Sequence, residues 1–247
     1  MKEQHFFYQS DPNSHQLPDE EAVHAMRVLR LQVGDSIQLM DGQGLFYDAI
    51  ITETSNHHCR YRIVQTLQQQ PEWQGRIHIA VAPTKNLDRM EWLAEKATEI
   101  GFDRMSLLEC KFSERRNVKT ERLERIVVAA MKQSHKAWKP VIEQMQAFES
   151  FVCRDDLPSQ RFIAHCYEQA DVDGGNVSKP FLKDILYTSN KSGDAIVLIG
   201  PEGDFSIDEV RLAQQHGFRS VSLGKSRLRT ETAALVATHL MRLAAEH

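Results

Sequence analysis

The sequence lacks several motifs that would assign a function directly. It contains no GxGxxG and no GxxxxGK[ST], the glycine-rich loops that bind dinucleotides and the phosphates of ATP. It contains no GxSxG either, so a serine nucleophile on a strand-to-helix turn is not expected. No apolar run approaches the roughly 18–20 residues that cross a membrane, and the first residues do not read as a secretory signal. We therefore expect neither membrane insertion nor secretion.

Cysteine is scarce and scattered. The 247 residues include four cysteines, none in a CxxC motif, and eleven dispersed histidines. No His/Cys spacing fits a zinc site. In a chain of this size the pattern favours reduced thiols, and hence a cytoplasmic location without a bound metal.

The charge is acidic overall but not evenly distributed. The net charge is −4, while residues 111–140 carry nine Lys/Arg against three acids, a net +6 that leaves −10 for the rest. A basic stretch in an acidic protein is a candidate surface for phosphate contact. It is equally a candidate for a solvated helix face with ion pairs such as Glu121 with Arg125. The sequence leaves both interpretations open.

The chain divides into two halves with different patterns. Residues 1–70 hold short β-rich runs and one helical segment, residues 20–30, which predicts a small β-barrel. From residue 77 onward, strand-length apolar runs alternate with helical patterns, which predicts an α/β domain with a covered parallel sheet. The polar connector at residues 68–75 lies between them. We predict domains at residues 1–72 and 73–247.

Two glycine loops in the last fifty residues suggest a binding site. The apolar run 195–199 ends at Gly200, the run 221–223 ends at Gly224, and each loop leads into a helical pattern. Open α/β sheets bind ligands at the carboxyl ends of their strands, and glycine lets the backbone approach a ligand closely. The second loop also carries Lys225, Arg227 and Arg229, more positive charge than a plain connection needs.

The motifs of these loops resemble those of a known family. The chain reads IGPEGDFS from Ile199 and VSLGKSRLRTETA from Val221, with HAMRVLRLQVGD from His24 and SER from Ser113. Together they resemble the bacterial SPOUT methyltransferases that methylate N3 of a uridine in 16S ribosomal RNA. The resemblance spans nearly the whole chain. It implies a PUA-like β-barrel, a parallel α/β domain with a C-terminal trefoil knot, and S-adenosylmethionine as cofactor. The family usually has GPEGG, where this chain has Asp204.

Residue chemistry and the resemblance together give candidate site residues. Arg229 is expected to stabilise negative charge on the uracil, and Glu202 or Glu231 is a candidate proton acceptor. The structural alternatives are helix capping for Glu202 and a first-turn helix position for Glu231. Arg27 and Arg30, three residues apart on the predicted helix, are expected to contact RNA, as are Arg115 and Arg116. The residues expected to bind the cofactor are Leu198, Gly200, Glu202, Gly203, Leu223, Gly224, Leu228, Thr230 and Ala233.

The expected function is therefore methylation of a uridine N3 in the 16S rRNA of the small ribosomal subunit by a homodimer. One alternative is a SPOUT enzyme with another target, such as a tRNA ribose 2′-OH. The other is a non-catalytic RNA-binding assembly factor, against which the intact 200–203 and 229–232 segments argue.

Overall fold

The structure is a computed structural model that describes residues 5–55, 58–173, 178–188 and 194–246. The chain forms two compact units, one of residues 1–71 with 128–139 and one of residues 72–127 with 140–247. The sequence-based division placed residues 128–139 in the second domain, whereas their contacts group them with the first unit.

The first unit is built on a four-stranded sheet. Its strands are β1 (Phe6–Tyr8), β2 (Ser36–Met40), β3 (Leu45–Thr54) and β4 (Cys59–Gln68), in that order, with β1 parallel to β2 and the other pairs antiparallel. The backbone of residues 15–17 bonds to the outer edge of β4, with Leu17 N–H donating to Cys59 O at 2.9 Å and Tyr61 N–H to His15 O at 3.0 Å. This pairing covers an edge that would otherwise be open.

The helical segment of this unit differs from its prediction. Helix α1 (Asp19–Val23) continues into one π-helical stretch, His24–Val28, and the helical region ends before Arg30, which has a φ of 54°. The expectation that Arg27 and Arg30 share one helical face is therefore wrong. Both side chains are exposed, and RNA contact by them stays a prediction.

The second unit is a six-stranded parallel sheet with helices. The sheet order is β10-β8-β9-β5-β6-β7. Its strands are β5 (Ile77–Val81), β6 (Arg104–Glu109), β7 (Val141–Ala147), β8 (Gln160–Ala164), β9 (Ala195–Ile199) and β10 (Arg219–Val221). The helices are α2 (Leu87–Ile100), α3 (Thr120–Ser134), α4 (Phe148–Val152), α5 (Gln169–Asp173), α6 (Leu182–Thr188), α7 (Ile207–Gln215) and α8 (Thr230–Ala244). Residues 128–134 of α3 belong to the first unit. Every residue of β5 and β9 is buried, as expected for central strands covered on both faces.

The strand order determines where the two glycine loops lie along the edge of the sheet. β10 lies at residues 219–221, two residues before the predicted run, and β8 separates it from β9 in the sheet. The loops at Gly200 and Gly224 thus leave strands that are not neighbours, although both leave the carboxyl edge. α8, which follows the second loop, packs against β9 and β5, and its first residue, Thr230, bonds to Gly200.

Candidate active site

Gly200 is a buried residue that begins the loop after β9. A Cβ placed there would lie 3.0 Å from Phe205 N and 3.2 Å from Asp204 C, because the loop turns back over this position. The carbonyl oxygen of Gly200 accepts a hydrogen bond from Thr230 Oγ1 at 3.1 Å. The end of β9 is therefore joined directly to the first residue of α8.

Glu202 and Arg115 both bind the backbone of Lys85. Glu202 Oε1 accepts the backbone N–H of Lys85 at 3.0 Å, and Arg115 Nη2 donates to the carbonyl oxygen of Lys85 at 2.6 Å. Lys85 follows β5, and Arg115 follows β6, so these bonds tie three loops together. A hydrogen bond from its own side chain to Glu114 raises the pKa of Lys85, so this amine stays charged at neutral pH.

Gly203 lies against the loop that follows β6. A Cβ at this position would lie 3.2 Å from the Cβ of Phe112. That loop is also bound to α7, since Lys111 N–H donates to Glu209 Oε1 at 2.8 Å. Glu209 completes a capping box with Ser206 at the start of α7, which fixes its carboxylate.

Asp204 occupies the position at which the family that this chain resembles usually has glycine. Its φ is 65°, a left-handed conformation that aspartate tolerates better than most side chains. Its Oδ2 accepts the backbone N–H of Cys166 at 2.8 Å, and its Oδ1 accepts the N–H of Phe205 at 2.8 Å. Aspartate therefore keeps the backbone turn and adds a bond to the loop after β8.

The loop after β8 carries a buried imidazole beside a lysine. His165 Nε2 lies 2.9 Å from Ser220 Oγ, and Lys179 Nζ donates to the carbonyl oxygen of His165. Burial, with the positive charge of Lys179 as the second cause, lowers the pKa of His165 to about 4. The imidazole is thus neutral at physiological pH and adds no charge to this edge of the sheet.

Substitutions at Asp204 should separate its two roles. We expect Asp204→Ala to lower the free energy of unfolding by about 2 kcal/mol, since alanine retains the left-handed strain and loses the hydrogen bond to Cys166. Asp204→Gly removes the strain together with the bond, so its loss should stay below about 1 kcal/mol. Urea denaturation of both variants measures the difference. Equal losses would show that backbone strain at this position has no energetic weight.

Arg229 is an exposed cation at the beginning of α8. It is the N-cap residue, with φ −72° and ψ 158°, and its side chain does not cap the helix. Within the part of the chain that the structure describes, its guanidinium makes neither a hydrogen bond nor an ion pair. Since the next residue, Thr230, bonds to Gly200, Arg229 is held at the glycine loops with its charge available to a ligand.

The two candidate proton acceptors lie in different surroundings. Glu202 is exposed, but one of its oxygens is bound to the Lys85 N–H. Glu231 is buried, and its nearer oxygen lies 3.8 Å from Nε of Arg89 on α2. Its other oxygen, Oε2, has no hydrogen-bond partner among the described residues. This arrangement favours a structural role for Glu231, and proton transfer by either carboxylate stays a prediction.

The remaining predicted cofactor residues fall into two groups. Leu198 lies within β9, between Ala80 of β5 and Ile163 of β8, and its side chain is in the hydrophobic core. Gly224 is exposed at a φ of 137°, and no described atom lies within 4 Å of the place that a Cβ would occupy. Leu223 and Leu228 of the same loop are half-buried, as is Ala233 on α8. The second loop therefore offers peptide groups and apolar surface next to open space.

Several residues of the basic stretch are engaged within the chain. Arg122 Nε lies 2.6 Å from Glu91, Arg116 Nη1 lies 3.3 Å from Glu109, and Lys132 Nζ lies 2.6 Å from Glu21. Arg115 is bound to Lys85, as described above. These contacts support the ion-paired interpretation for part of the stretch, and RNA contact by Arg115 and Arg116 stays a prediction.

Comparison with known proteins identifies the family of this fold. A family described as an RNA methyltransferase domain matches residues 71–242, and one described as an RNA methyltransferase PUA domain matches residues 17–64. The chain belongs to this RNA methyltransferase family. A crystal structure described as a probable rRNA-methyltransferase from Porphyromonas gingivalis shares 44% identity at a TM-score of 0.87, covering 97% of this chain and 98% of that one.

Two further relatives carry a more specific name. Ribosomal RNA small subunit methyltransferase E from Synechocystis is 31% identical over 216 residues, 87% of this chain and 68% of that protein. A structure of the protein of the same name from Neisseria gonorrhoeae, bound to S-adenosyl methionine, is 26% identical at a TM-score of 0.81, with 98% of each chain covered. The predicted fold class, a PUA domain before a parallel α/β methyltransferase domain, is confirmed, while the knot stays a prediction.

The described residues supply neither a membrane span nor a metal cluster. Among them, no helix combines the length and apolar character needed to cross a bilayer. Nor do they contain a group of three or more His, Cys, Asp or Glu side chains arranged to hold a metal ion. The expectation of a reaction without a metal stays a prediction.

Proposed function

We propose that this protein uses S-adenosylmethionine to methylate N3 of a uridine in the 16S rRNA of the small ribosomal subunit. The observation that carries the proposal is the loop of residues 200–204, which contacts loops from β5, β6, β8 and β10 at one edge of the sheet. Such an edge is where α/β proteins hold ligands. The names of the relatives favour small-subunit rRNA over a tRNA target. Arg229, which has no internal partner among the described residues, favours an enzyme over a silent binding factor.

The residues present fit a nucleoside-like cofactor. Gly224 leaves open space beside exposed peptide groups, and half-buried Leu223 and Leu228 offer apolar surface to an adenine. The backbone at Gly200 is held in place by Thr230 before any ligand arrives. When bound, the cofactor supplies an electrophilic methyl group. The chain has to place the uracil nitrogen in line with that methyl group, and positioning of this kind supplies a large share of a rate enhancement.

Arg229 is the residue best placed to stabilise the reacting base. Uracil N3 becomes nucleophilic as its proton leaves, and the negative charge spreads onto the two neighbouring carbonyl oxygens. A guanidinium without an internal partner can donate to such an oxygen without first breaking another bond. Glu202 is the more accessible candidate for the departing proton, because it is exposed and only one of its oxygens bonds to Lys85.

Methyl transfer from labelled S-adenosylmethionine to undermethylated 30S subunits tests the proposal. The purified protein should produce N3-methyluridine, identified by nucleoside analysis. Naked 16S rRNA and tRNA serve as parallel substrates. Label on tRNA alone, or on a ribose hydroxyl, would refute the proposed target, and no transfer despite cofactor binding would favour the non-catalytic alternative.

The proposal includes a homodimer, a trefoil knot and a cytoplasmic location. Leu235, Val236 and Leu243 remain partly exposed on α8 and His239 is exposed, which leaves a surface on this helix for a second subunit.

All four cysteines are free thiols, as is usual in a reducing compartment.

Light scattering at micromolar concentration should give a mass near twice the 28.3 kDa of one chain. Leu235→Glu should reduce that mass, because a charge in an apolar contact is costly. A wild-type mass of one chain would refute the dimer.

A further inference from the structure

Phe112 is an exposed aromatic side chain on the loop that follows β6. Its exposed fraction is 46%, among the larger values for an apolar residue in the described chain. Burial of a phenyl ring normally contributes to stability, yet this ring is left in contact with solvent. Scattered exposed apolar residues are ordinary, so the exposure alone indicates no function.

The backbone that carries Phe112 is held in place. The Cys110 N–H donates to Ser113 Oγ at 3.0 Å, and the Ser113 N–H donates to the Cys110 carbonyl at 3.0 Å. Lys111 N–H is bound to Glu209 at 2.8 Å, as described above. Gly203 has no side chain, which leaves room for the Cβ of Phe112 beside it. The ring is therefore presented on a fixed loop at the edge of the candidate active site.

Lys111 lies beside this ring, and two arginines follow it in the sequence. Lys111 Nζ lies 5.7 Å from its centroid. Arg115 and Arg116 follow on the same loop, and with Lys85, Glu114 and Asn117 they line a cavity of about 500 Å³. An aromatic ring flanked by cations is the pattern by which proteins bind single-stranded nucleic acid, because bases stack on the ring and phosphates meet the cations. A second copy of this loop would bring like charge, which makes a nucleic acid the better complement.

We propose that Phe112 stacks on an unpaired RNA base next to the methylated uridine, and this rests on the proposed function. N3 of uridine lies on the Watson–Crick edge and is reached only when that base is unpaired and removed from its stack. The neighbouring base then loses a stacking partner. The Phe112 ring, on a loop that lies against Gly203, replaces that partner and helps to select substrates with an accessible base at this position.

Three substitutions at this position test the role of the ring. Phe112→Ala should raise the KM for undermethylated 30S subunits by about tenfold or more, the effect of losing one stacked base. Phe112→Leu keeps the apolar character without the aromatic face and should raise the KM as Phe112→Ala does. Phe112→Trp keeps an aromatic face, so its KM should stay near that of the wild type. Cofactor affinity should not change in any of them. Trp92→Ala removes another exposed aromatic residue, on α2, and is the matched control.

A binding measurement reports on stacking without requiring methyl transfer. A single-stranded oligouridine that contains one 2-aminopurine is titrated with each protein. Stacking quenches 2-aminopurine, so the complex with Phe112→Ala should be brighter than the complexes with the wild type and Phe112→Trp. Equal emission from the wild type and Phe112→Ala would overturn the proposal. A smaller mass for Phe112→Ala by light scattering, with KM unchanged, would assign the ring to a subunit contact instead. A wild-type protein that transfers no methyl group would refute the proposed function, while the fluorescence would still decide the stacking.

Discussion

Arg229→Ala should lower the rate of methyl transfer by about 10²-fold or more, the usual loss when one electrostatic donor to a developing charge is removed. The guanidinium is exposed and lacks a partner in the described structure, so its removal leaves no buried group unsatisfied and should hardly affect stability. Cofactor affinity should change much less than the rate. Single-turnover methylation of undermethylated 30S subunits, with calorimetry for the cofactor, measures the two quantities separately.

Two further variants define the role of Arg229. Arg227→Ala removes an exposed arginine from the same loop and should leave the single-turnover rate within a few-fold of the wild type. Arg229→Lys should recover only part of the loss, because an ammonium group cannot reproduce the planar fork of a guanidinium. A normal single-turnover rate combined with weak RNA binding would reassign Arg229 to phosphate contact. Normal values of both would leave it without a functional role.

Gly200→Ala should have the largest effect on the glycine loops. The added methyl group would meet two backbone groups, Phe205 N at 3.0 Å and Asp204 C at 3.2 Å, and backbone cannot move aside as a flexible side chain can. The loop would have to open, which strains the Thr230 bond to the Gly200 carbonyl. We expect a loss of roughly 2–3 kcal/mol in the free energy of unfolding, as for overpacking elsewhere, and at least a tenfold weaker affinity for S-adenosylmethionine.

Gly203→Ala is the matched control for this change. Its methyl group would meet the Cβ of Phe112 at 3.2 Å, with the next atoms at 3.8 Å, whereas the methyl group at Gly200 would meet three atoms at 3.0–3.2 Å. The loss should therefore be smaller than for Gly200→Ala, about 1 kcal/mol. Urea denaturation and calorimetry compare the two variants. Equal tolerance of both substitutions would mean that the loop is free to rearrange at Gly200.

The sequence predicted the central strands well and the sheet edges poorly. β5 and β9 are buried on both faces, so β9 is an uninterrupted apolar run and β5 is interrupted only by His78. β7 is an edge strand in which only Ile142 is buried, and its Glu143 is held by Arg104 at 2.6 Å and Arg154 at 2.8 Å. A strand with one buried residue and an ion-paired glutamate lacks the alternation of apolar and polar residues by which a sequence predicts a strand. β10 is an edge strand of three residues, too short for an apolar pattern to fix its bounds.

The sequence predicted the glycine loops of the site but not the side-chain contacts that join them to other loops. Glycine followed by a helical pattern marks the loops at Gly200 and Gly224, and the prediction of these loops needs only local sequence. Insertion of β8 between β9 and β10 is a property of topology, which one sequence does not encode locally. Arg115 and Glu202 bind the backbone of Lys85 from 30 and 117 positions away in the sequence, so no local spacing predicts these contacts. Phe112 was missed, although an aromatic residue among closely spaced cations is a signal for stacking.

The loop edge is held together largely by side chains that bond to peptide groups. Asp204 binds the N–H of Cys166, Glu202 binds the N–H of Lys85, and Thr230 binds the carbonyl of Gly200. In each pair one residue contributes a specific side chain, while the other contributes only a backbone group that any residue, proline aside for an N–H, could supply. Correlated substitution between contacting positions requires both side chains to matter. These contacts should therefore leave little covariation in an alignment of relatives, whereas an ion pair such as Arg154 with Glu143 is free to change as a pair.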